Sequence, residues 1–163
     1  MINPKAITSD GYIINQSLLS NIKYGKYTSD YNGCGWISAY NSLISLGKSP
    51  NYTEVISDLQ NHSIFNGLFG TNPLYFNKYF SQKGYKVKIN LCKKKFNAAA
   101  SSCTTNIILY FHSKGAHFVS FKSLGHGKYH FYNDIYGQED DIRTMDQFLD
   151  QTGFLPAMLI SIS

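Results

Sequence analysis

Arginine is almost absent from this chain of 163 residues: Arg143 stands alone, and lysine carries the rest of the positive charge behind a net +5. Proteins that read nucleic acid lean on arginine forks for bases and phosphates, and none of their motifs is present, so no nucleic-acid partner is expected. The densest basic run, Lys93-Lys94-Lys95, reads as a solvated loop. No apolar stretch reaches the ~18 residues of a membrane-crossing helix, so no span is expected. The start, Met1-Ile2-Asn3-Pro4-Lys5-Ala6, has no basic region followed by an apolar core, so no secretion signal is read and a cytoplasmic location is expected. Cysteine is scarce too. Cys34, Cys92 and Cys103 make an odd count without Cys-x-x-Cys spacing, which speaks for reduced thiols and against a zinc site.

Charged residues are few at 15%, whereas hydrophobic ones reach 43%. That balance describes a globular chain, and the length suits one domain over residues 1–163 with a real core. Thirteen tyrosines and eleven phenylalanines are assigned to core and cleft packing, since no strand motif presents them for base stacking.

The most informative stretch is Asn32-Gly33-Cys34-Gly35-Trp36-Ile37. Trp36, Ile37, Ala39, Tyr40, Leu43, Ile44 and Leu46 recur at spacings of three and four, predicting a helix from about Gly33 to Leu46. Asn32 is the expected N-cap and Gly47 the expected C′ residue. Cys34 then lies in the first helical turn, where unpaired N–H groups favour a thiolate. Lowering a thiol pKa by about 1.5 units takes roughly 2 kcal/mol, within reach of a helix start plus one imidazolium. Two flanking glycines cost helix stability and suit a close approach of substrate or backbone to the sulfur.

Residues 1–31 read as an arm that packs on the later core, and 32–84 as a helical half. Its further helices cover Thr53 to Asn61 and the segment from Leu74 to Gly84. Between them Asn66-Gly67-Leu68-Phe69-Gly70 is either a border of the substrate cleft or a plain connector. Residues 85–163 form a sheet half: alternation over Tyr85 to Leu91, a continuous apolar strand over Ile107 to Phe111, a hairpin of His117 to Lys122 with Lys128 to Asn133, a helical stretch within Asp140 to Thr152, and a closing strand over Ala157 to Ile162. Helices first and an antiparallel sheet second is an α+β layout.

A thiol nucleophile needs a base. His62, His126 and His130 fit a polar helix end, a turn and a strand. Of His112 and His117, the second is the better base because it opens the strand Ala116 to Phe121, whose mouth can face a helix start. A turn at Gly125-His126 sets His117 opposite Asp134, and a one-residue change sets it opposite Asn133. Matching the apolar faces (His117, Val119, Phe121 with Tyr129, Phe131, Asn133) selects Asn133 as the group that orients the imidazole, with Asp134 the alternative.

This order of Cys34, His117 and Asn133 resembles that of the papain-like cysteine peptidase superfamily. Gly33-Cys34-Gly35 heading a helix is most similar to the bacterial peptidases that cleave bacteriocin leader peptides and their stand-alone relatives. The resemblance spans about Asn32 to Gly137. It implies an α+β, papain-like fold with the nucleophile helix packed on an antiparallel sheet. It also implies hydrolysis of a peptide or amide bond through a thioester, with Cys34, His117 and Asn133 as the triad, a peptide or protein substrate, and no metal or organic cofactor. The same triad also serves acyltransferases and deamidases, and it persists in silent peptide-binding domains. Two departures stand out: Gly35 intervenes before Trp36, and Thr28 occupies the place of the oxyanion glutamine some six residues before the cysteine. Gln16 is distant in sequence and stays unassigned; Asn32 is the oxyanion candidate, beside the N–H of Cys34.

Overall fold

The computed structural model describes residues 1–65, 67–112 and 115–163. Asn66 of the glycine-rich loop, and Ser113 and Lys114 between the two candidate histidines, lie outside the described residues.

The arm is shaped by 3-10 turns at Pro4–Ala6 and Gln16–Leu18. A small hairpin, β1 (Lys23–Tyr24) and β2 (Tyr27–Thr28), leads into one helical turn, α1 (Ser29–Asn32), and then into α2 (Cys34–Ser45). Next come α3 (Tyr52–Gln60), a second small hairpin of β3 (Ser63–Ile64) and β4 (Phe69–Thr71), and α4 (Tyr75–Gln82). The remainder runs β5 (Val87–Asn90), α5 (Phe96–Ser101), β6 (Thr105–His112), β7 (Gly115–Gly125) and β8 (Lys128–Tyr132), then β9 (Ile142–Thr144), α6 (Met145–Asp150) and β10 (Ala157–Ile162). Six of these strands form one antiparallel sheet in the order β5-β10-β6-β7-β8-β9.

The expected α+β arrangement is what the chain adopts. The two small hairpins are absent from the sequence reading, because strands of two or three residues are too short to show a period.

Helix α2 owes its end to chemistry legible in the sequence. Gly47 adopts φ +74°, donates to Ile44, and lets Lys48 reach back to the carbonyl of Leu43, which closes a Schellman motif. Its start differs from expectation. Asn32 is not the N-cap but the last residue of α1, and Gly33 joins the two helices with no side-chain cap.

The sheet is covered on both faces, which explains the unbroken apolar run in β6. Ile107, Leu109, Phe118 and Ile160 pack with Trp36, Ile37 and Phe76 on the side of α2 and α4. Ile108, Val119, Phe121, Phe131 and Leu159 pack with Phe96 and Phe148 from α5 and α6 on the other. Each such side chain, fully buried, contributes about 2 kcal/mol of transfer free energy. Helix α2 is therefore held against the sheet at the strands that carry the histidine.

A candidate Cys-His site at the helix–sheet junction

Cys34 is half-buried at the first position of α2 and His117 is 8% exposed near the start of β7. Folding brings them together: the imidazole is hydrogen-bonded to the Cys34 sulfur. The main-chain N–H groups of Gly35 and of Phe118, the residue after His117, also point to that sulfur. Burial pushes the thiol up, but the hydrogen bond and charge of His117 and the two N–H groups outweigh it, so Cys34 lies below the ordinary thiol range. Burial likewise pushes His117 down. The bond to Cys34, its charge, the carbonyl of Asn133 and the charge of Asp134 reverse the balance, and the imidazole lies above its ordinary value. Both directions favour a thiolate beside an imidazolium.

The third partner arrives differently from the reading of the sequence. The β7–β8 ladder sets Phe121 against Phe131 and Ser120 against Tyr132, so Asn133 falls two residues beyond the register that would place it opposite His117. The turn itself is His126-Gly127, both at positive φ, and Leu124 is an extra residue at an irregularity between Ser123 and Gly125. The matched apolar faces hold; the register does not. Asn133 still meets His117 because it leaves the strand at φ +67°, which swings its main-chain carbonyl to 2.7 Å from Nε2. A carbonyl only accepts, so Nε2 carries the proton and Nδ1 is the nitrogen left for the thiol.

The Asn133 amide is engaged elsewhere. Its Oδ1 accepts from the main-chain N–H of Gln16 at 2.8 Å, and its Nδ2 donates to Gln16 Oε1 at 3.1 Å. Asp134, the alternative, accepts from the Tyr110 hydroxyl at 2.7 Å, from Gln151 at 3.1 Å, and from Arg143, which also pairs with Asp141. It therefore faces away from direct contact with the ring and acts on it through charge. Asn32 is buried and donates its amide to the carbonyl of Gly67 at 3.3 Å.

The flanking glycines also have an internal reason. A Cβ on Gly35 would lie 2.1 Å from Thr71 Oγ1, and one on Gly33 would lie 2.5 Å from the carbonyl oxygen of Ser29. What approaches Gly35 is β4, whose Thr71 is hydrogen-bonded to Tyr24 at 2.6 Å. Phe69 and Gly70 of the glycine-rich segment thus belong to a strand seated on the start of α2.

A polar cavity of about 280 Å³ opens beside His117, lined by Tyr110, His112, Asp134, Tyr136 and Gln151. Tyr136 brings its ring edge-on to the imidazole, with centroids 6.0 Å apart. The charge of Cys34 helps to raise both Tyr136 and Tyr24, behind the larger effect of burial. Gln16 stays unassigned in the sequence because of its distance from Cys34, and no role is read there for Tyr24, Tyr110, Tyr136 or Arg143, since all five act through contacts between distant segments. Among the described residues no group of three or more His, Cys, Asp or Glu could hold a metal, and no helix is long and apolar enough to cross a membrane.

Two solved peptidase domains share this architecture. One is a double glycine motif protease from an AMS/PCAT transporter, in complex with the leader peptide: TM-score 0.54, 18% identity, covering 79% of this chain and 82% of that one. The other is the peptidase domain of Streptococcus ComA, a bifunctional ABC transporter involved in a quorum-sensing pathway: TM-score 0.57, 11% identity, covering 82% and 92%. The fold is papain-like. No family profile matches the sequence, and no curated protein does.

Proposed function

We propose that the protein is a cysteine peptidase that cleaves a peptide bond through a thioester, with Cys34 as nucleophile, His117 as acid and base, and Asn133 as the residue that orients the imidazole. The reading rests on one observation above all: the thiol at the head of α2 is hydrogen-bonded to the imidazole of β7, and each shifts the other toward its charged form. The Cys34 thiolate attacks the carbonyl carbon, the C–N bond breaks, and His117 gives its proton to the leaving amine. Water, deprotonated by the same imidazole, then attacks the thioester, releases the acid and restores the thiol. The main-chain N–H of Cys34 serves the developing oxyanion. The proposed substrate is a peptide with a double-glycine motif, a reading supported by the one neighbour that is a double glycine motif protease with a bound leader peptide.

A second reading, a catalytically silent peptide-binding domain, is favoured by Asn32, whose amide is committed to Gly67 in a site without the usual oxyanion glutamine. Incubation with a panel of peptides carrying Gly-Gly, followed by mass spectrometry, separates the two. The peptidase reading expects products from wild type and none from Cys34→Ala. Equal binding of a peptide by both proteins, with no product from either, would establish the silent domain.

A further inference from the structure

Gln16 lies 117 residues from Asn133 in sequence, yet it makes two of the bonds that fix the Asn133 amide. It is 2% exposed, and its remaining amide donor reaches the carbonyl of Asp30 in α1 at 3.0 Å. Asn133 needs such support, since a left-handed backbone is uncommon outside glycine and costs about 1 kcal/mol or more unless its surroundings hold it. The carbonyl that accepts from His117 Nε2 belongs to that residue. Whatever holds the turn therefore holds the ring.

The arm that bears Gln16 is itself anchored to the nucleophile helix. Asn41, two helical turns after Cys34 and fully buried, accepts from the N–H of Ile13 and donates to its carbonyl, both at 2.8 Å. The next residue, Ile14, accepts from the N–H of Gly137 at 3.0 Å, which pins the far end of the same turn. A closed ring of contacts results: α2 holds the arm through Asn41, the arm holds Asn133 through Gln16, Asn133 holds His117, and His117 meets Cys34 back on α2.

We infer that Gln16 is a positioning residue for the Cys34–His117 pair, acting through the main-chain carbonyl of Asn133. The role rests on the peptidase reading but makes a separate demand. The side chain of Gln16 sets the orientation and tautomer of His117, so its loss alters the ionisation of Cys34 and not merely the stability of the fold.

The test is the pH profile of alkylation of Cys34 by iodoacetamide, read peptide by peptide with Cys92 as the exposed internal reference. Gln16→Met keeps the bulk and the main-chain N–H that donates to Asn133 Oδ1, and removes the side-chain contacts to Asn133 Nδ2 and to the carbonyl of Asp30. It is expected to lower the Cys34 rate at pH 6 about tenfold and to move the acid limb up by about one pH unit. The protected Nε2–H resonance of His117 in proton NMR should broaden or vanish. Asn133→Gly, which keeps the left-handed backbone without strain, removes both bonds to Gln16 from the other side and serves if Gln16→Met does not fold. It should shift the profile in the same direction and by at least as much, and adding Gln16→Met to it should change nothing further. A profile superimposable on wild type in either folded variant, with only a lower Tm, overturns the proposal and leaves the peptidase reading standing. A wild type whose Cys34 reacts no faster than Cys92 at pH 6 overturns both.

Discussion

Replacing Gly35 with alanine distinguishes two reasons for a glycine beside the nucleophile. If the position is kept open for substrate, the added methyl blocks catalysis and leaves stability alone. The packing predicts otherwise, because the new Cβ would sit 2.1 Å from Thr71 Oγ1 and 2.5 Å from Thr71 Cβ. Distances that short are not tolerated, so β4 must move away from α2, straining the Tyr24–Thr71 hydrogen bond. Overpacking of this kind costs roughly 1–3 kcal/mol, offset by at most about 1 kcal/mol from exchanging glycine for alanine in a helix. A net loss of about 1 kcal/mol lowers Tm by about 2–4 °C in a chain of this size. Thermal unfolding of Gly35→Ala, Thr71→Gly and the double variant measures it. The double variant should be more stable than the sum of the two single effects by about 1–2 kcal/mol, as expected when one change makes room for the other. An unchanged Tm for Gly35→Ala, or strict additivity with Thr71→Gly, refutes the packing account.

Three further outcomes follow from the same contacts. Because Cys34 is held low and His117 high, the thiolate–imidazolium pair persists between the two values; peptide cleavage should plateau there, falling on the acid side as Cys34 is protonated and on the alkaline side as His117 loses its proton. A single sigmoid near pH 8.5, the ordinary thiol titration, would refute it. Arg143→Met leaves Asp134 and Asp141 buried without their shared cation, at a cost of about 3–5 kcal/mol near pH 7. Burial already raises Asp141, and without the guanidinium the folded state takes up more protons than the unfolded one; urea melts of the variant should show stability rising from pH 7 to pH 5. Asn41→Leu strands the N–H and carbonyl of Ile13, with a loss of about 2–4 kcal/mol, and hydrogen exchange should rise first across residues 12–16.

Much of the site was written in local spacing. The period of Trp36, Ile37, Tyr40 and Leu43 located α2 and put Cys34 on its first turn, and Gly47 marked its end, because both depend on residues within one or two turns. Alternation in β7 and β8 assigned the correct apolar faces, since the strand period of two survives any even slip. The slip itself was hidden. One extra residue at Leu124 and a turn at His126-Gly127 moved the ladder by two, and nothing in the residue types distinguishes that loop from its neighbours in length.

The tertiary structure decided which atoms do the work. From the sequence, Asn133 offers an amide to orient His117; in the fold that amide belongs to Gln16, and the peptide carbonyl takes its place. From the sequence, Gly35 opens a path to the sulfur; in the fold Thr71 occupies that space. Secondary structure answers to neighbours along the chain, so composition and period suffice to foresee it. Hydrogen bonds between residues 16 and 133, or contact between 35 and 71, form only when the arm, the small hairpins and the sheet converge on α2, and no local pattern encodes that convergence.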